Sequence, residues 1–199
     1  MELAGYRSFT LRKVVMESSF VGAYWSSRKE TREECAKRIA MFLESIADRP
    51  SFRRWFLKKR SRKATSLPLE ISVPAIGEEL RTNNRDIDGA AILELGFNLN
   101  VWNGNENAPA SFAVTCGAFS RQVKNSAVLY LPKQESIDAT FYQEITLLLK
   151  KAIQAWEPEN AVVTSAEYLS KSGGGMPWVV GGWLSYQRET GIVQARPLR

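Results

Sequence analysis

Three carboxylates, Asp86, Asp88 and Glu94, fall close together in the chain. Such a cluster is the raw material for holding a divalent ion in phosphodiester hydrolysis. A centre of that kind also wants a lysine two residues after its second acid, and the chain reads Glu94-Leu95-Gly96 there. Acidic residues in a polar segment more often shape a loop, and that is the preferred reading. Gly173-Gly174-Gly175 suggests a phosphate cradle, yet it lacks the G-x-x-x-x-G-K-[ST] spacing and no helix signal follows. It reads as a flexible connector. Met176, Pro177 and Trp178 come directly after it, and apolar residues beyond a glycine run can stand out as a contact patch. Cys35 and Cys116 each sit on an apolar stripe and read as small core residues. Histidine is absent from all 199 residues. That removes His-based triads, H-E-x-x-H zinc sites and the commonest general base. No catalytic, metal or cofactor-binding residue is assigned.

The second chemical feature is charge. Arg49 to Lys63, RPSFRRWFLKKRSRK, holds eight Lys/Arg and no carboxylate. The net charge of +6 and the pI near 9.4 rest on this stretch, because the remainder has 19 basic and 21 acidic residues. Cations interleaved with Phe52, Trp55 and Phe56 could bind phosphates and stack bases. The aromatics also share one face at helical spacing, which points instead to a short packed helix with a solvated basic side. A nucleic-acid-binding module built on residues 49–63 is therefore the alternative reading, and docking against an acidic protein surface is a third.

The elements that must position these residues follow from periodicity. Arg12 to Trp25 reads as extended, with Gly22 hinting at a bulge. Thr31 with Glu34 three residues later is a capping box, and Cys35, Ile39, Phe42, Leu43 and Ile46 then recur at helical spacing to Ala47. Leu69, Ile71 and Val73 alternate up to Pro74, which either ends a short edge strand or opens a helical turn through Leu80. Ala91 to Trp102, Phe112 to Cys116 and Ala127 to Leu131 read as three strands of an antiparallel meander. Ser136 then caps a helix whose stripe is Phe141, Ile145, Leu148, Leu149, Ala152 and Trp156. Ala161–Ser165 and Trp183–Tyr186 read as late strands. The sum is an α+β fold, a mostly antiparallel sheet with helices packed on it, in a single domain over residues 1–199. No apolar run approaches the roughly 18 residues needed to cross a bilayer, and Met1–Lys13 shows no signal-peptide core. A cytoplasmic location, with no membrane partner, is expected.

Three blocks in order carry a family resemblance. They are Tyr24-Trp25-x-x-Arg28 followed by Glu34-Cys35-Ala36, then Pro50-x-Phe52-x-x-Trp55-Phe56 leading to Ser61-Arg62-Lys63, then Gly182-Trp183-Leu184-x-Tyr186. Together they resemble the immunity protein 52 family of bacterial polymorphic toxin systems, over about residues 20–186. The resemblance implies an α+β antidote, not an enzyme, encoded beside a toxin with a restriction-endonuclease-like nuclease domain. Such toxins are often delivered by contact-dependent or type VI secretion. The implied partner is the cognate nuclease toxin, with no direct nucleic-acid contact, and the oligomeric state is open. Tyr24, Trp25, Trp55 and Trp183 are bulky enough to be fold determinants. An inhibitor that imitates DNA would be acidic, which argues against mimicry by the basic stretch. The expected toxin contacts are Trp102, Met176 and Trp178 as loop anchors, with Asp86 and Asp88 facing a basic cleft.

Overall fold

A computed structural model of the chain describes residues 19–57, 67–82, 89, 92–120, 122–134, 138–171, 182–190 and 193–195. Their elements run β1 (Ser19–Trp25), α1 (Arg32–Ile46), a 3-10 turn (Pro50–Phe52), β2 (Phe56–Leu57), α2 (Val73–Arg81), a second 3-10 turn (Leu93–Leu95) and β3 (Phe97–Trp102). They continue through β4 (Ser111–Cys116), β5 (Asn125–Tyr130), α3 (Ala139–Trp156), β6 (Asn160–Ser165), α4 (Ala166–Lys171), β7 (Leu184–Gln187) and β8 (Val193–Ala195). The strands form one eight-stranded sheet in the order β2-β3-β4-β5-β1-β6-β7-β8. Every adjacent pair is antiparallel. The α+β class and the β3–β4–β5 meander expected from sequence are both present.

The register sorts side chains to two faces, because successive strand residues alternate. One cross-strand row runs Leu57, Val101, Phe112, Leu129, Val21, Val163, Leu184. The next runs Leu99, Val114, Ala127, Ala23, Ala161, Tyr186. Both rows belong to the hydrophobic core, and α1 and α3 cover them. The capping box of α1 forms as its sequence predicts, with Thr31 Oγ1 accepting from Glu34 N (3.2 Å) and Glu34 Oε2 accepting from Thr31 N (2.7 Å). A cap of this kind is worth about 1 kcal/mol. Helix α3 buries the whole predicted stripe, Phe141 through Trp156. At the centre, Trp25 stacks on Trp156 at 5.5 Å, and Phe42 meets Trp156 edge-on at 6.1 Å.

Four expectations need correction, and one open choice is resolved. The short helix through Phe52, Trp55 and Phe56 is only a 3-10 turn; Phe56 and Leu57 are strand β2. Non-local partners claim that backbone: Leu69 N donates to Trp55 O (2.8 Å), Leu57 N to Leu67 O (3.0 Å), and Phe56 pairs with Trp102. Gly22 makes no bulge, since it pairs in register with Val128 and Val162; the Tyr24 ring lies over it where a Cβ would stand. The N-cap of α3 is Asp138, whose side chain accepts from Phe141 N at 2.9 Å, and Ser136 lies outside the described residues. Of the two readings after Leu69, the helix is correct: Ser72 caps Ala75 N, and Pro74 occupies the first turn of α2. Leu95 belongs to a 3-10 turn, so the third strand starts only at Phe97. No helix among the described residues is long and apolar enough to cross a membrane.

Candidate functional site

Of the expected contact residues, only Trp102 lies among the described ones; Asp86, Asp88, Met176 and Trp178 lie outside them, as do residues 58–63 of the basic stretch. Trp102 is not on a loop. It is the last residue of β3, half-buried, with its ring 6.5 Å from that of Phe56 on the neighbouring strand. Glu94 sits exposed in the second 3-10 turn. Among the described residues no group of three or more His, Cys, Asp or Glu is close enough to hold a metal ion.

The described part of the basic stretch does not present an aromatic platform. Phe52 and Trp55 are buried and stacked on each other at 6.1 Å, with rings nearly parallel. Arg49 is tied to Asp48 and Glu144, each at 3.2 Å. Base stacking by these two aromatics is thereby removed, and only Arg53 and Arg54 of the described cations remain exposed.

The blocks that carried the resemblance act mainly in the core. Arg28 lies over the Trp25 ring at 5.0 Å and donates through Nη1 to Trp156 O (3.0 Å), at the C-terminal end of α3. Arg38 of α1 donates to Ala155 O (2.8 Å) and pairs with Glu30 (2.7 Å) and Glu157 (3.0 Å). Burial works against the Arg38 charge, but Glu157 and Glu30 outweigh it and raise the pKa further. Cations at the C-terminus of a helix favour its dipole and satisfy its last carbonyls. Trp55 and Trp183 are buried as well, with Trp183 edge-on to Phe141 at 6.4 Å. Cys35 and Cys116 are both buried and free. A side-chain hydrogen bond between them, helped by burial, pushes the Cys116 thiol well up. This pairing of residues from α1 and β4 was invisible in the sequence.

What the structure adds is the second face of the sheet. Its end row runs Phe56, Trp102, Ser111, Tyr130, Phe20, Thr164. The middle row is Asn100, Ala113, Val128, Gly22, Val162, Ser185, and the far row is Asn98, Thr115, Ser126, Tyr24, Asn160, Gln187. None of these eighteen positions carries a formal charge. Phe20 and Tyr130 meet at 5.7 Å and Phe56 meets Trp102, so four aromatics cross the sheet in one line. Burial rises toward β1 and β6, where Phe20, Val162 and Thr164 are covered, while Tyr130 is 43% exposed and Asn100 is exposed. Burial, with the Tyr130 phenol nearby, pushes the Tyr24 phenol well up and keeps it neutral. At the end of this face the β3–β4 loop is held by Asn103. Its amide donates to Ala108 O (2.9 Å) and Ser51 O (3.3 Å), and its carbonyl accepts from Ala110 N (3.0 Å) and Asn105 N (3.2 Å).

An aromatic, amide- and hydroxyl-rich face without formal charge has the composition found at the centres of protein interfaces. The family model for immunity protein 52 matches residues 17–198, and the chain belongs to that family. It is an immunity protein of toxin systems, and its partner is a protein toxin. No curated protein matches the chain significantly.

Proposed function

We propose that the protein binds one cognate toxin, a restriction-endonuclease-like nuclease, and neutralises it without catalysis in the cytoplasm of the cell that makes both. The observation that carries this reading is the family match across residues 17–198. The nuclease identity rests on the kind of toxin that the resemblance implies, as does delivery by contact-dependent or type VI secretion. Neutralisation by binding demands high affinity, because any free nuclease damages the genome. Nuclease–immunity pairs of the colicin type reach Kd values of about 10⁻¹³–10⁻¹⁶ M, which shows what one such interface can supply.

A few aromatic anchors within a polar rim carry most of the energy of such interfaces. Trp102 keeps its place among the proposed contacts, now as a strand residue in an aromatic row. Met176 and Trp178 remain proposed contacts on sequence grounds alone, and Asp86 and Asp88 remain so for a mode of docking that engages the basic cleft itself. The test is co-expression with the toxin encoded beside the gene. Growth rescue, together with a complex that co-elutes in size-exclusion chromatography, supports the reading. Continued toxicity with no complex refutes it, and a toxin that cleaves no nucleic acid refutes its nuclease part.

A further inference from the structure

We infer that the toxin docks on the uncharged sheet face, along Phe56, Trp102, Ser111 and Tyr130 with Asn100 beside them, and that the toxin surface received there is itself uncharged and lies outside the phosphate-gripping cleft. This inference rests on the proposed function and adds where, and with what chemistry, the two proteins meet.

Charge is the first argument. The chain is 24% charged; fourteen of the eighteen face positions are not buried within the chain, and about three of those would carry a charge at ordinary usage. A solvated face of an antiparallel sheet is normally polar and tolerates Lys and Glu well. A face that is to be stripped of water does not, because each unpaired ion left in the interface costs several kcal/mol. Interface centres are depleted in charge and enriched in Tyr and Trp for this reason. The same cost identifies the partner surface. A cleft that grips phosphates is rich in Lys and Arg, and this face holds no carboxylate to meet them. Docked there, it would bury those cations unpaired. Amides, hydroxyls and aromatic edges match instead an uncharged patch elsewhere on the toxin, and inhibition then acts from outside the cleft.

Order and size are the second argument. The aromatic row is set on strands, where backbone pairing fixes it, and the adjoining loop is fixed by the four hydrogen bonds of Asn103. A surface ordered in advance loses less entropy on binding. The open part of the face on β3, β4 and β5, three strands about 4.8 Å apart and about 20 Å long, is a plane of roughly 300 Å². A standard interface takes about 800 Å² from each partner. The exposed residues 104–107 of the β3–β4 loop beside Trp102 extend that plane at the rim.

The experiment measures binding of the full chain to the neighbouring toxin domain, silenced in its catalytic residues, by calorimetry at low and high salt. Asn100→Lys should weaken the complex about a hundred-fold and Tyr130→Ala about ten-fold or more. Met41→Lys and Leu147→Lys, at exposed positions on the helical side, should stay within about two-fold. Wild-type affinity should change less than about three-fold between 50 and 500 mM salt, against the steep loss expected of a charged interface. Circular dichroism melts check that each variant folds. Asn100 is exposed, so its change leaves the core intact; Tyr130 packs on buried Phe20 at 5.7 Å, so its binding loss counts only where the melt stays native-like. A wild-type complex that ignores both face substitutions, or that dissociates steeply with salt, overturns this inference and leaves the proposed function standing. No wild-type complex at all overturns both. A homodimer broken by Asn100→Lys, seen by light scattering of the protein alone, assigns the face to a second copy and also overturns it.

Discussion

Replacing Asn125 with alanine should destabilise the fold by about 3 kcal/mol. The side chain is fully buried at the start of β5. It accepts from Ala118 N (2.9 Å) and donates to Ala118 O (2.9 Å) and Ser26 O (2.8 Å), so one amide locks the β4–β5 loop to the β1–α1 loop. The three bonds are not equal. Ala118 O keeps a second donor, Arg28 N at 3.0 Å, and Ser26 lies near the surface, where water can replace the amide. Each of these two losses costs about 0.5–1 kcal/mol. Ala118 N is left buried without an acceptor, at about 1–3 kcal/mol. For a chain of this length the total corresponds to a fall in Tm of roughly 6–12 °C. Urea and thermal unfolding followed by circular dichroism measure it, with Ser126→Ala on the opposite face as a control expected within about 0.5 kcal/mol. Asn125→Asp sharpens the test. The introduced carboxylate faces two carbonyl oxygens, so its folded pKa rises above the unfolded value. The variant is therefore least impaired at low pH and loses stability as the pH rises. A loss below about 1 kcal/mol for Asn125→Ala, or an Asn125→Asp variant insensitive to pH, would refute the reasoning.

Other outcomes follow from the same geometry. Glu30→Gln takes the anion from between Arg28 (3.3 Å) and Arg38 (2.7 Å); with both cations about a quarter exposed, a loss of roughly 1–3 kcal/mol in urea unfolding is expected. The carboxylate of Glu34 is held below its ordinary pKa of 4.5 by the Thr31 backbone and hydroxyl bonds. Its contribution is thus complete above about pH 4.5 and lost as the pH falls through the lower folded value. Glu34→Gln should flatten the stability–pH curve in that acid range, as read by melts from pH 2 to 6. Ellman's reagent should find both thiols, Cys35 and Cys116, silent in the native protein and reactive in guanidinium, because they are buried and the Cys116 thiol is raised. Gly96→Ala should be strongly destabilising in thermal melts, since Gly96 has φ +67° and an added Cβ would strike the backbone of Cys116 and Ala118.

Local signals told the truth where the structure itself is local. The Thr31–Glu34 box and the stripes of α1 and α3 need only nearest-turn contacts, and both helices lie where periodicity put them. The aromatics at 52, 55 and 56 misled because three positions at helical spacing say nothing of pairing partners. Trp102, Leu67 and Leu69 draw residues 55–57 into extended structure, from ten or more residues away. Arg28 reaches the Trp156 carbonyl and Arg38 reaches Glu157, each across more than a hundred residues of sequence. No pattern within one segment could announce that. The uncharged face was half legible. Its neutral residues occupy alternate positions in β3, β4 and β5, but strand order and register are required before they become one surface. Trp102, expected on a loop, instead ends strand β3, because where a strand stops is set by its pairing partners Phe56 and Ser111.

Hydroxyl-radical footprinting of the immunity protein, free and bound to its silenced toxin, tests the central claim most directly. Protection concentrated on Trp102, Tyr130 and Phe56, with Met41 and Leu147 on the helical side unchanged, is the predicted pattern. Protection of Met41 and Leu147 with Trp102 and Tyr130 still oxidised at their free rate would contradict it.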